Sequence, residues 1–339
     1  MPLMTGSLRF AIVGCGKIAP RHAAEMVKHG HLLAVCDTVA DRAVALAGQY
    51  GCRAYADFPE MLAKEKQLDL VAVCTPNGLH ASQSIAALHA GLHVLCEKPL
   101  SLSLADARAM IEASRIASRQ LLVVKSTRYN PALLALKEQL DQGRLGKLYS
   151  FQLNCFWNRP PAYYEGSWRG DAALDGGTLY TQFSHYIDAL LWLLGDMEKV
   201  NGFRRNLAHG SSIDFEDSGI AALQMESGVI GGINWSVNSF GKNMEVSLSL
   251  LAEHASIRID GEYMNRVGYE RCDGFSLGWP APGQPNDYGF YQGSMSNHDK
   301  IYENLVGVLQ GGSAPIASAW DGLKTVETIE AIYQTIRLS

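Results

Sequence analysis

The chain has 339 residues, 47% of them hydrophobic and 19% charged, the balance of a soluble globular protein long enough for two domains. Its formal net charge of −5 supplies no broad basic surface for nucleic acid or an anionic membrane, though it leaves room for a local basic pocket. Seven cysteines without C-x-x-C spacing, no apolar run of membrane-spanning length, and a start at residues 1–7 unlike a signal peptide point to a reducing cytoplasm.

Residues 8–13 read as a buried parallel strand. It runs into Gly14-Cys15-Gly16-Lys17-Ile18-Ala19, a G-x-G-x-x-A dinucleotide fingerprint between strand and helix. Gly14 serves the tight turn, Gly16 leaves room for a pyrophosphate, and Ala19 allows close helix–strand packing. The helix over 18–29 turns its amino end to the phosphates, so Lys17 and Ile18 join the candidate cofactor contacts. The next strand, 32–37, ends in Asp37. A carboxylate there hydrogen-bonds adenosine ribose hydroxyls and repels a 2′-phosphate, which favours NAD over NADP. Arg42 is the residue that could turn toward such a phosphate. The plain structural role for Asp37 is an N-cap for the helix over 41–50.

The alternation continues with a short strand at 52–55, a helix at 58–64 and a strand at 68–74 that ends in Thr75-Pro76-Asn77. A helix from His80 to residue 90 and a strand over 93–96 follow, and the strand stops at Glu97-Lys98-Pro99. A helix over 102–117, capped by Ser101 or Ser103, and a strand over 121–124 complete the run. This spacing predicts a doubly wound parallel sheet, an α/β Rossmann domain over 1–126. Right-handed crossovers put Gly14, Asp37, Thr75, Asn77, Glu97 and Lys98 on one edge, with His80 next to it; all are candidate cofactor contacts. Proline fixes its own φ and keeps Lys98 extended, so its ammonium is a candidate for chemistry. The plain alternative is a surface lysine before a turn.

Beyond a helix over 132–142 the pattern changes. Residues 148–154 alternate as a half-buried strand does. Further strands are expected at 199–205, 218–225, 229–237, 244–251, 255–259 and 263–269. They predict an α+β domain over 127–339 with a large, mainly antiparallel open sheet. One face would pack helices and the other a second subunit. A closing helix over 320–337 would pack back near the domain interface.

Between the first two of these strands lies a stretch rich in polar and aromatic residues, with Arg159, Tyr163, Arg169, Thr181, Gln182, His185 and Asp188. A helix over 178–194 would put Thr181, His185 and Asp188 on one face. An imidazole suits acid–base work near neutral pH; the plain alternative is a satisfied helix histidine. For Asp188 the plain reading is an ion pair or a partner that orients the histidine. His185 and Asp188 have no third ligand at metal-site spacing, so no metal is expected. The polar, aromatic loop over 286–298 feeds a helix ending at residue 309, and it offers Asn297.

The G-x-G-x-x-A opening, Asp37, the Cys74-Thr75-Pro76-Asn77 turn and Glu97-Lys98-Pro99 resemble the Gfo/Idh/MocA oxidoreductases. The resemblance implies that Lys98 is the active-site lysine, that the Lys98–Pro99 bond is cis, and that the open sheet builds a homodimer or homotetramer. The family usually carries Gly-Gly-Gly, then Asp, then His four residues later, then Asp three further on. This chain matches at Gly176, Gly177, His185 and Asp188, and has Thr181 in place of the first Asp. Proton transfer would then rest on His185, Lys98 or both, with no second carboxylate.

The glycine-rich turn, residues 177–179 and 238–245, and the loop over 286–298 look like the branch that acts on UDP-linked N-acetyl-hexuronates at C3. That likeness implies NAD as cofactor, His185 as base and Lys98 polarising the alkoxide. It makes Arg159, Tyr163, Arg169, Thr181, Gln182 and Asn297 candidate substrate contacts. Some relatives recycle their cofactor with a 2-oxo acid. The rival readings are a dehydrogenase of a free cyclitol or sugar and a catalytically silent dinucleotide sensor.

Overall fold

The structure, a computed structural model, describes residues 6–282, 285–287 and 292–338. Residues 288–291 of the predicted polar loop therefore lie outside the described residues. Contacts divide the chain into two compact units. The first runs through Val124 and takes in His298–Val326; the second is Lys125–Asn297 with Glu327 onward. The first unit thus includes a segment far beyond a continuous 126/127 boundary.

The first unit is built on strands β1 (Leu8–Val13), β2 (Gly30–Cys36), β3 (Arg53–Tyr55), β4 (Leu70–Val73), β5 (His93–Cys96) and β6 (Leu121–Val123). They pair in parallel in the order β3-β2-β1-β4-β5-β6. Every residue of β4 and β5 is buried, as expected of parallel strands covered on both faces. Helices α1 (Ala19–His29), α2 (Ala40–Tyr50), α3 (Phe58–Lys64), α4 (His80–His89) and α5 (Leu104–Ala117) supply the crossovers. The cap of α5 is Ser103, whose Oγ accepts the Asp106 N–H, while Ser101 donates to the Ser103 carbonyl.

The second unit opens with α6 (Pro131–Asp141) and β7 (Leu148–Phe156), then α7 (Ala172–Asp175) and α8 (Ser184–Leu194). Strands β8 (Met197–Arg205), β9 (Ser218–Met225), β10 (Ile230–Ser236), β11 (Glu245–Ala252), β12 (Ala255–Asp260) and β13 (Arg266–Cys272) follow. The sheet order is β13-β12-β11-β7-β10-β9-β8; only the β10–β7 pair is parallel. The last strand starts at Arg266 rather than residue 263, because Met264 takes φ +53° and the chain turns there. Phe203, Ile220, Asn234 and Asn154 stand in register across one face, where Phe203 and Ile220 are exposed. Helices α9 (His298–Leu309) and α10 (Ala319–Thr335) close the chain. Among the described residues no helix is long and apolar enough to cross a membrane.

The helix expected over 178–194 is two pieces. Leu179–Phe183 forms a π-helical turn and α8 begins only at Ser184. The wider turn breaks the i, i+4 stacking of Thr181 over His185 that a continuous α-helix predicts. His185 and Asp188 keep their i, i+3 relation inside α8.

Candidate active site

The carboxyl edge of the first sheet carries the glycine-rich turn. Gly14 has φ +92°, and a Cβ there would sit 2.6 Å from the Cys74 carbonyl and 2.7 Å from the Thr75 nitrogen. Its bareness lets the ends of β1 and β4 approach. Gly16 is different: a Cβ there would meet nothing within 4 Å. Asp37 folds back over this turn. It accepts the Cys15 N–H on one oxygen and the Val39 N–H on the other, both at 2.8 Å. The carboxylate thus fastens the β1–α1 turn to the end of β2. The helix cap falls at Val39, not Asp37, and Arg42 is exposed.

The other edge residues brace one another. Thr75 donates its hydroxyl to Gln83 at 2.6 Å, and Asn77 is buried in a 3₁₀ turn. His80 sets one ring nitrogen 2.7 Å from the Pro99 carbonyl and the other 3.0 Å from the Thr75 carbonyl. Burial lowers its pKa against the pull of those two carbonyls. Both polar atoms of this expected cofactor contact are thus engaged by the turns after β4 and β5. Glu97 turns inward as well: Oε1 lies 2.9 Å from His22 Nε2, and Oε2 accepts the Lys98 N–H at 3.1 Å. Lys98 is half-buried, and its bond to Pro99 is cis.

In the second unit, four expected substrate residues, Arg159, Tyr163, Arg169 and Gln182, form one cluster. Arg159, 2% exposed, donates Nε to the Gln182 amide oxygen at 2.9 Å, and Gln182 donates to the Tyr163 hydroxyl at 3.0 Å. The Arg159 and Arg169 guanidinium carbons lie 5.1 and 4.8 Å from the Tyr163 ring centre, in cation–π range. Arg159 also lies 4.6 Å from the Trp157 ring centre. Sequence reasoning missed two supports. Asn243 accepts from Arg159 Nη1 and from the Asn158 N–H, and His209 engages the Arg159 carbonyl at 2.7 Å. Asn297 stands apart from this cluster, donating to the Ser126 carbonyl and the Asn130 side chain.

Thr181 was expected to remove a carboxylate from this region. The structure restores one: the Thr181 hydroxyl donates to the buried Asp175 carboxylate. Burial raises the Asp175 pKa to about 6, against hydrogen bonds from Thr181 and the Gly170 N–H. Asp188 pairs with cations from outside its helix. Arg128 grips it with two bonds of 2.8 and 2.9 Å, and Lys125 Nζ lies 3.2 Å away. All three groups are buried, so Asp188 carries the ion-pair role. His185, on the same helix, is 5% exposed.

A family model described as an oxidoreductase family with an NAD-binding Rossmann fold matches residues 8–125. A second, for the GFO/IDH/MocA C-terminal domain, matches residues 133–261. The chain belongs to the Gfo/Idh/MocA oxidoreductase family. It is similar over 99% of its length to the WlbA dehydrogenase of Chromobacterium violaceum, solved with NADH and UDP-GlcNAcA. That likeness covers 95% of the neighbour at 32% identity, with a TM-score of 0.90. It is 28% identical to the D-glucoside 3-dehydrogenase of Escherichia coli, over 98% of this chain and 96% of the relative. It is 27% identical to inositol 2-dehydrogenase 2 of Saccharopolyspora erythraea, over 97% and 93%.

As a Gfo/Idh/MocA protein the chain is an NAD-dependent oxidoreductase. Its own residues fit that cofactor. Space is open over Gly16, no side chain caps the start of α1, and Asp37 ends β2. An uncapped helix start beside an open glycine is suited to a pyrophosphate.

Proposed function

We propose that the chain oxidises the C3 hydroxyl of a UDP-linked N-acetyl-hexuronate. The observation that carries this reading is the Arg159–Tyr163–Arg169 cluster, with Arg159 held buried among amides and rings. Guanidinium groups suit a carboxylate or diphosphate, whereas a free cyclitol or a simple glucoside carries no such charge. Likeness to a dehydrogenase solved with UDP-GlcNAcA supports the same class. The neutral-sugar reading has its own support in the glucoside and inositol relatives.

Bound NAD supplies the hydride acceptor. His185 removes the hydroxyl proton, and Lys98 stabilises the developing alkoxide or shares the base role. Positioned acid–base groups typically contribute about 10²–10⁴-fold. Gly14, Gly16, Lys17, Ile18, Asp37, Thr75 and Asn77 hold the cofactor, and Lys98 stands beside them. His80 and Glu97 act from behind, by fixing the turns that carry these groups. The uncharged, partly apolar row of Phe203, Ile220, Asn234 and Asn154 suits burial against a second copy, giving a dimer or tetramer. All seven cysteines are free, which suits a cytoplasmic setting.

The test is NADH formation with UDP-GlcNAcA, a glucoside, myo-inositol and no substrate. Turnover with UDP-GlcNAcA alone is expected, and Lys98→Met should abolish it while NAD still binds. Turnover only with a neutral sugar would overturn the reading. Tight NAD binding without turnover on any sugar would favour a sensor.

A further inference from the structure

One group of titratable side chains in the first unit has no part in the proton transfer proposed above. It joins α1, the turn after β5 and the first residue of α9. His22 Nε2 lies 2.9 Å from Glu97 Oε1, and His22 Nδ1 lies 2.8 Å from the Tyr302 hydroxyl. The His298 ring stands edge-on to His22, with centroids 5.1 Å apart. Its Nε2 is 3.7 Å from the same Glu97 oxygen, beyond hydrogen-bond reach. Among the described residues neither ring nitrogen of His298 has a hydrogen-bond partner, although the residue is 5% exposed. An imidazole buried with both nitrogens unsatisfied is costly and calls for a further group.

We propose that His22, Glu97 and His298 bind a divalent first-row transition metal, with Zn²⁺ as the fitting ion. One donor atom from each residue lies within 4.8 Å of the others. Zinc bonds of about 2.0–2.2 Å in a tetrahedral site set donors roughly 3.4 Å apart. The two donor distances to Glu97, 2.9 and 3.7 Å, bracket that value, and the two imidazole donors lie within 4.8 Å of each other. Two imidazoles and a carboxylate without a thiolate match zinc and its neighbours rather than Cu⁺ or Ca²⁺.

The Tyr302 hydroxyl is the outer partner that fixes the His22 ring; ligation through Nε2 leaves Nδ1–H to donate to it. Glu97 also accepts the Lys98 N–H, so a bound ion would be felt at the lysine turn whatever the substrate is.

The full-length protein is stripped with a chelator, loaded with Zn²⁺ and desalted. Retention of about one ion per chain is expected, with Co²⁺ in its place giving visible d–d absorption. His298→Ala should lose both signals, and Tyr302→Phe should weaken binding about 10–100-fold. No retention by the wild-type protein would overturn the proposal and leave a hydrogen-bonded cluster completed by water. Equal retention by wild type and His298→Ala would overturn it too, by placing the ion elsewhere. If His298→Ala does not fold, Tyr302→Phe decides the matter: Co²⁺ binding as tight as in wild type would overturn the proposal.

Discussion

Substituting alanine at Gly14 and at Gly16 separates two roles that the fingerprint combines. At Gly14 the new Cβ would lie 2.6 Å from the Cys74 carbonyl, where ordinary contact starts at 3.4 Å. Backbone on both sides must then part by about 0.8 Å, the difference between those distances. The φ of +92° adds conformational strain. Overpacking and strain are each of order 1–3 kcal/mol, so about 2–6 kcal/mol together. In a unit of this size that lowers Tm by roughly 5–20 °C. Gly16→Ala meets no atom within 4 Å and has no positive φ to strain, so its effect on stability should be neutral or a gain of about 0.4–1 kcal/mol. It fills the space offered to a pyrophosphate instead, and NAD should bind at least about tenfold more weakly, about 1.4 kcal/mol. Thermal melts without cofactor and NAD titration by calorimetry read the two effects apart. A Gly14→Ala melt within about 1 °C of wild type would refute the close-approach argument. Undiminished NAD binding by Gly16→Ala would refute the cradle.

Asp188→Asn leaves Lys125 and Arg128 buried without their carboxylate, and should cost about 3–5 kcal/mol in urea unfolding; a loss under about 1 kcal/mol would contradict the buried-triad reading. Glu216 is buried, which raises its pKa from 4.5 to about 7 despite bonds from Tyr333 and the nearby Arg204. The folded state therefore holds this proton more tightly than the unfolded one. Its stabilisation is complete below about pH 4.5 and is lost as pH rises through about 7. Glu216→Gln should flatten that part of the stability profile by about 3 kcal/mol, and an unchanged slope would rule the assignment out. Asp37→Ala removes the acceptor for the Cys15 and Val39 N–H groups; NAD should bind about tenfold or more weakly and the preference over NADP should shrink. NAD and NADP affinities unchanged from wild type in titrations of both cofactors would count against that role.

The first sheet was legible because its central strands announce themselves as apolar runs ending in turns, as His93–Cys96 does, with helices such as Phe58–Lys64 between them. Local signals reached the Lys98 turn for the same reason. They did not reach the π turn, since Leu179–Phe183 is apolar enough to suit either helical period. Nor did they reach long-range pairings. The partners of Asp188 lie on another segment, and His22 meets Glu97 only after the crossovers through α2, α3 and α4 bring α1 and the end of β5 together. Asp175 directly precedes the glycine pair, but its service to Thr181 depends on how that loop folds.

The interrupted course of the first unit bears on how the protein is made. Strands β1 to β6 leave the ribosome well before α9, yet His22 finds Tyr302 and Glu97 faces His298 only when α9 arrives. The second unit waits longer still. Tyr333, close to the end of the chain, receives the Leu179 N–H at the start of the π turn and donates to Glu216. Neither unit can finish folding on its own schedule during synthesis. Both carry an open flank until α10 has emerged, and exposed apolar surface of that kind is what calls for a chaperone. Shortening the chain by its last helix would therefore damage both units at once.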